Sequence, residues 1–376
     1  MLLPVLGLIV LALCGLFLLA FGTVRFGGVA LAVGVVLALL PVVLVVAAFL
    51  WVDRWEPEPA KLLLVAFGWG ACGAAVTALL INNTAEAVGD LLLGRGSGNQ
   101  ITAVLSAPIA EEALKGAFVL GLLLWRRREF DGVVDGIVYA GFTAAGFAFT
   151  ENIYYFGRIF AEHGIGSTGN GVLAAFLLRA VLAPFTHPVF TALIGIGLGV
   201  AARTRSAPVR LFAPLAGYFG AVGLHATWNG AATLGGARVF LNVYFLVMVP
   251  IFLGLAMLIN WHRRREQRIV AEALPSLVDA RLVVPSEVEL LSSLSGRRRW
   301  RRQVRAEAGR RAERAVGAYQ TAVTELAFLR HNEAMGIAGS DAARQRDSVI
   351  EALRAARDEA VRGAADRRAA SAARPG

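Results

Sequence analysis

Eight stretches of about 20 or more predominantly apolar residues fill the first 261 positions, and nothing else in the chain limits its fold as strongly. They run over about 3–22, 28–52, 61–82, 101–125, 132–156, 172–201, 209–234 and 239–261. Backbone amides and carbonyls in hydrocarbon have no water to bind, so each spanning segment must satisfy its own groups. Long continuous runs do this as α-helices. A barrel would need short alternating segments, and these runs do not alternate. The expected fold class is all-α: a polytopic helical membrane protein with about eight transmembrane helices. A mean hydropathy of +0.61 and 57% hydrophobic residues exclude an ordinary soluble domain. No basic residue precedes the first run, which reaches about Phe21 and reads as a retained helix rather than a cleavable signal. Cys14 and Cys72 lie in apolar runs and match neither a disulfide framework nor a metal spacing.

Basic residues between spans set the orientation. With the N-terminus in the cytoplasm, the inner loops hold Arg54, Lys61, Arg126, Arg127, Arg128, Arg203, Arg205 and Arg210. The outer loops hold only Arg25, Arg95, Arg158 and Arg238. The last span exits into Arg263-Arg264-Arg265 on the inner side, so both termini are expected to be cytoplasmic.

Composition changes at the end of that span, which divides the chain into a transmembrane domain, 1–262, and a C-terminal tail, 263–376. From His262 onward there are 23 Lys/Arg against 15 Asp/Glu, so the net charge of +10 belongs mainly to the tail. Richness in Ala, Arg and Glu favours helix. Few aromatics point to a solvated helical or partly disordered segment. The run from Ser295 to Arg305 holds six arginines around Trp300 and suits the anionic inner leaflet of the lipid bilayer. No recognised nucleic-acid-binding module is present, so no nucleic-acid partner is expected. Internal repeats, a P-loop and a dinucleotide fingerprint are also absent.

Charges inside the spans carry the functional reading, because a charge in hydrocarbon costs at least ~2.5–3.5 kcal/mol and survives facing a protein interior. The fourth span holds Glu111, Glu112 and Lys115 within five residues. Helical spacing lets Lys115 pair with either glutamate. Two adjacent carboxylates repel, which suits one of them to act as general base on water. The fifth span pairs Phe147 with Glu151 on one face and adds Asn152. Asp135, near its start, reads as an interfacial residue or loop anchor. In the sixth span Pro184 and Pro188 flank His187 and can bend the helix to aim it into a cavity. Arg179 has no partner within its own helix, which leaves Glu151 or the membrane surface. In the seventh span His225 and Asn229 are four apart and point one way, as an oxyanion or a bound water requires. At 1.5 Å per residue from the outer end of each span, Glu111 lies about 15 Å down, Glu151 about 8 Å, His225 about 14 Å and His187 about 22 Å. One cavity in roughly the outer half of the bilayer accommodates them.

These motifs resemble the PrsW family of intramembrane proteases. The carriers are Ala107-Pro-Ile-Ala-Glu111-Glu112-Ala-Leu-Lys115; Asp135-Gly-Ile-Val-Tyr139 followed by Gly146-Phe147 through Glu151-Asn152-Ile-Tyr154; Arg179 through His187 and Thr191; and Leu224-His225-Ala-Thr-Trp228-Asn229. They occur in order over residues 107–229, the motif core. The resemblance implies an endopeptidase that hydrolyses a peptide bond of a membrane-protein substrate, in the family including site-one cleavage of a membrane-bound anti-sigma factor. It extends to the CAAX prenyl endopeptidases. In those the second motif ends in His where this chain has Glu151, which makes a prenylated substrate less expected.

Two mechanisms stay open at this level. In one, zinc or another divalent metal is held by ligands among Glu112, Glu151, His187 and His225, and activates water. In the other, Glu111 and Glu151 activate water without metal while His225 and Asn229 stabilise the oxyanion. The expected catalytic set is Glu111, Glu112, Glu151, His225 and Asn229, supported by Lys115, Phe147, Asn152 and Arg179, with His187, His225 and Glu151 as candidate metal ligands. A non-catalytic transporter or proton/ion relay built on the same charges is the alternative reading.

Overall fold

The computed structural model describes residues 2–55, 57–130, 132–167, 170–336 and 341–372. The chain divides into two compact units, Met1–Asp53 with Glu58–Met257, and Arg54–Pro57 with Leu258–Gly376. Among the described residues there is no strand, only an isolated bridge between Ser167 and Asn170.

Helices α1 (Leu2–Phe26) and α2 (Gly28–Val52) turn on Gly27, whose φ of 86° suits glycine. Then come α3 (Ala60–Leu93), α4 (residues 97–125), α5 (Val133–His163), α6 (residues 171–182), α7 (Thr186–Arg203), α8 (Ala207–Leu234) and α9 (Gly236–Asp279). Among the described residues, seven helical segments are long and apolar enough to cross a membrane, and the protein is a polytopic all-α membrane protein. The remaining expected span, 101–125, is helical, but Glu111, Glu112 and Lys115 keep α4 outside that apolar class. The expected sixth span breaks at residues 183–185 into α6 and α7. Pro184 sits in the break, and Pro188 lies in the first turn of α7, where a missing N–H costs no helical bond.

Helix α5 is the centre of the first unit and packs against α2, α3 and α7. Glycines let the backbones meet. A Cβ on Gly136 would sit 2.1 Å from the Gly195 carbonyl of α7, and one on Gly146 2.1 Å from the Phe67 carbonyl of α3. Asp135 accepts from the Gly132 N–H at 2.7 Å and so anchors the start of α5. Asp53, just past α2, accepts from the Glu58 N–H at 3.0 Å, and the Tyr139 hydroxyl of α5 donates to Glu58 Oε2 at 2.5 Å.

Among the described residues, four π-helical turns interrupt the spans: Trp69–Ala74, Thr102–Ser106, Leu177–Leu182 and Tyr244–Met248. Such turns release carbonyls from the α-helical ladder, and three are taken up by side chains of other helices. Thr150 donates to Ala71 O (2.6 Å), Asn229 to Ala103 O (2.9 Å) and Tyr244 to Leu182 O (2.9 Å). Helix α4 is held further by Trp69 Nε1 on Leu114 O and the Tyr218 hydroxyl on Ile109 O, at 2.9 and 3.0 Å. The helix carrying Glu111, Glu112 and Lys115 is therefore pinned at three carbonyls.

The second unit is helical, and it has a core that its composition does not announce. The end of α9, α10 (Val288–Leu291), α11 (Leu294–Ala334) and α12 (Ala342–Ala372) bury Leu274, Leu277, Leu291, Val323, Leu326 and Leu353 together. Trp55, from the short segment in this unit, packs with Ile269, Val270, Ala327 and Phe328. The basic run does not present all of its arginines to solvent: Arg298, Arg299, Arg302 and Arg305 are exposed, but Arg297 is only 5% exposed.

Candidate active site

Helix α4 places Glu111 and Glu112 on adjacent positions, and the two carboxylates have opposite surroundings. Glu112 is fully buried and satisfied. Lys115 Nζ donates to its Oε1 at 2.5 Å, Thr191 Oγ1 of α7 donates to its Oε2 at 2.8 Å, and His225 Nδ1 of α8 lies 3.0 Å from Oε1. An ion pair with this many hydrogen bonds offsets much of its desolvation cost. Lys115 also lies 4.6 Å from the centre of the Phe147 ring and 3.3 Å from His187 Nδ1.

Glu111 is buried and half engaged. Asn82 Nδ2 of α3 donates to its Oε1 at 3.1 Å, and Ser106 Oγ donates to Asn82 Oδ1 at 3.3 Å. Its Oε2 is buried and makes no hydrogen bond; His225 Nε2 is 3.9 Å away. One donor atom each from Glu111, His187 and His225 lie within 4.8 Å of one another. The His187 and His225 rings meet edge-on at 5.2 Å between centroids, and Phe190 stacks on His225 at 4.8 Å.

Glu151 comes from α5. Its Oε2 is 2.6 Å from His187 Nε2 and 2.9 Å from Arg179 Nη2, while Arg179 Nε donates to Asn152 Oδ1 at 2.8 Å. Arg179 also lies over the Tyr155 ring at 4.4 Å. A cavity of about 130 Å³ is lined by Glu111, Glu151, Asn82, Thr150 and apolar neighbours that include Leu18, Ala78 and Phe147.

Thus Glu111, Glu112, Lys115, Phe147, Glu151, Asn152, Arg179, His187 and His225 come together from α4, α5, α6, α7 and α8. Asn229 is placed differently from its expected role, since its amide is engaged with Ala103 O. The carboxylate that gathers with the two imidazoles is Glu111, whereas Glu151 faces Arg179 and His187. Sequence reasoning missed Asn82 and Ser106, and it assigned no role to Thr191. The signal for Asn82 was an amide at the edge of the expected third span, 61–82. The helix continues to Leu93, which puts Asn82 in its interior.

The donor set suits a divalent ion of the zinc type, which takes imidazole nitrogens and carboxylate oxygens. The unpartnered buried Glu111 Oε2 is the kind of atom such an ion would satisfy.

Membrane-crossing helices around a buried carboxylate and imidazole centre define a class: polytopic membrane proteins with chemistry set between their helices. The PrsW family of intramembrane metalloproteases matches residues 58–255, more than half of the chain, and the chain belongs to this family. Protease PrsW of Geobacillus kaustophilus is 30% identical over 161 residues, which cover 43% of this chain and 63% of that protein. Protease PrsW of Bacillus subtilis is 29% identical over 161 residues, 43% and 65% of the two chains. Protease PrsW of Oceanobacillus iheyensis is 37% identical over 101 residues, 27% and 41%. The chain thus spans less than two thirds of the length of these relatives. No solved structure matches it.

Proposed function

We propose that this protein is an intramembrane endopeptidase that hydrolyses a peptide bond of a membrane-protein substrate. The observation that carries the reading is the gathering of Glu111, His187 and His225 within 4.8 Å, with one buried Glu111 oxygen left without a hydrogen bond. A structural ion pair would have no need of that free oxygen, and Glu112 with Lys115 already supplies such a pair.

Each group has a role in this reading. Lys115 and Thr191 fix Glu112, and Glu112 fixes His225 through Nδ1, so that Nε2 is turned toward Glu111. A carboxylate behind an imidazole is the usual device for orienting a ligand or an acid–base histidine. Glu111, His187 and His225 would hold the metal. A divalent ion bound there supplies Lewis acidity at neutral pH. Arg179, held in turn by Asn152, pairs with Glu151 at the wall of the cavity, where Glu151 would take a proton from an attacking water. In the metal-free version, Glu111 Oε2 takes that proton instead.

Glu111→Gln and His225→Ala are expected to abolish cleavage while the protein still inserts in the membrane. Comparing cleaved membrane peptides between wild-type and Glu111→Gln strains identifies the substrate. Normal cleavage in both variants overturns the reading. Activity lost on chelation and restored by zinc assigns the metal version, and activity that survives exhaustive metal removal assigns the glutamate version. The substrate class implied by the family resemblance is a membrane-bound anti-sigma factor cut in the outer half of the bilayer, with both termini of the enzyme in the cytoplasm. The exposed Arg298, Arg299, Arg302 and Arg305 would bind the anionic inner leaflet, each contributing ~1 kcal/mol near the surface.

A further inference from the structure

The free oxygen of Glu111 has a definite direction because its other oxygen is held. The holder is Asn82, on α3. Its Nδ2 donates to Glu111 Oε1 at 3.1 Å, and its Oδ1 accepts from Ser106 Oγ at 3.3 Å. An amide rotates through 180° with little change of shape, so something must choose which end faces the carboxylate. Glu111 makes that choice, because a carboxylate only accepts and so takes the NH₂ end. Ser106, whose hydroxyl can donate or accept, braces the amide by donating to the carbonyl end that remains. Ser106 itself lies in the π-helical turn Thr102–Ser106, and Asn229 pins that turn through Ala103 O. A chain of contacts thus runs from Asn229 and the π-helical turn through Ser106 and Asn82 to Glu111. Asn82 also lines the cavity beside Glu111 and Glu151.

We propose that Asn82, braced by Ser106, is the positioning residue of Glu111. It holds Oε1 so that Oε2 faces His225. This rests on the endopeptidase reading and adds a residue to it. The pattern is that of an outer-shell partner, whose loss typically costs 10–100-fold in metal affinity or activity.

The test uses full-length protein purified in detergent, with two readouts. One is equilibrium zinc affinity. The other is kcat and KM on a peptide that spans the cleavage found by comparing wild-type and Glu111→Gln strains. Asn82→Leu keeps the size of the side chain and removes the donor. Asn82→Asp sets an oxygen and a like charge against Glu111. Asn82→Leu is expected to lower kcat and zinc affinity about 10–100-fold with KM within about twofold, and Asn82→Asp to lower both at least as much. Ser106→Ala is expected to give a smaller loss and to add nothing on top of Asn82→Leu, because it acts only through Asn82. Asn83→Leu, at an exposed position on the same helix, is expected to change neither readout. If Glu111→Gln is inactive but Asn82→Leu keeps wild-type kcat and zinc affinity, the assignment of Asn82 is wrong and the endopeptidase reading stands. If Glu111→Gln cleaves normally, both fall. If Asn82→Leu does not fold, Ser106→Ala decides: wild-type kcat and affinity overturn the proposal, and a loss in both supports it. If wild type binds no zinc, kcat decides on the same thresholds.

Discussion

Both units of this protein bury charge, and they compensate it by different means. In the membrane unit, Lys115 and Glu112 are fully buried and face each other, with Thr191 and His225 on the remaining lone pairs of the carboxylate. In the second unit, Arg297 is buried with no carboxylate on it. It donates through Nε to Leu291 O (2.9 Å) and through Nη1 to Thr324 Oγ1 (2.6 Å), and its guanidinium lies 4.9 Å from the centre of the Trp55 ring. Burial and the neighbouring Arg301 push its pKa down to about 10, still protonated at neutral pH. One buried charge is paired beside a centre in which an unengaged carboxylate oxygen gathers with two imidazoles. The other ties the end of α10 to α11 and lies against Trp55, and although its Nη2 also lacks a hydrogen bond, no ligating group gathers there among the described residues. A buried charge thus marks chemistry where an unsatisfied polar atom beside it meets other groups that can bind or move a proton.

Substitution at each charge tests that distinction. Glu111→Gln is expected to give the largest effect, a loss of activity of at least about 10²-fold whether Glu111 holds the metal or takes the proton from water. Its thermal stability should not fall, because Glu111 Oε2 has no hydrogen bond to lose. A strongly destabilised Glu111→Gln would make the group structural and erase the contrast with Glu112. Lys115→Met is next, because removing one partner leaves Glu112 uncompensated in a dry interior. It is expected to destabilise by about 3–5 kcal/mol, with much of this recovered in the Lys115→Met/Glu112→Gln double variant. Unfolding in detergent measures both. Arg297→Met is expected to cost less, about 1–3 kcal/mol, since buried carbonyls lose donors while a desolvated charge is removed. Tryptophan fluorescence follows it through Trp55. Cleavage activity that falls with Arg297→Met as steeply as with Glu111→Gln would show that the contrast between the two buried charges is drawn in the wrong place.

The legible and the hidden parts of this molecule divide along the same line. Apolar runs fix helices because lipid leaves the backbone no other partner, so the existence of the spans was readable, while their ends were not: α3 runs on to Leu93, α5 to His163 and α9 to Asp279. Buried charges were readable because their cost in hydrocarbon demands a reason. Asn82 and Ser106 were not. An amide and a hydroxyl in an apolar helix are cheap enough to pass as edge residues, and their pairing depends on packing α3 against α4. The π-helical turns were hidden too, since the partners that take up their freed carbonyls, Thr150, Asn229 and Tyr244, come from other helices. The core of the second unit was masked by composition. Its leucines are spread over the end of α9, α10, α11 and α12, and only the packing of these helices brings them together.

The smallest effect sits where the chain leaves the first unit, at Asp53. Its carboxyl is 7% exposed, and burial, aided by the nearby Asp135, pushes its pKa up to about 7, while the hydrogen bond from the Glu58 N–H opposes the shift. A carboxyl with a folded pKa above its unfolded value binds more protons in the native state between pH ~4 and ~7, so stability falls as pH rises across that window. This is the reverse of the usual paired carboxylate. Asp53→Asn keeps an oxygen to accept from Glu58 and removes the ionisation. The variant is therefore expected to match wild type near pH 4 and to unfold at progressively higher temperature than wild type as pH rises to 8. A midpoint that drops at every pH would mean that the charge itself holds the Asp53–Glu58 turn closed. Asp53 would then belong with Glu112, as a buried charge that the fold requires.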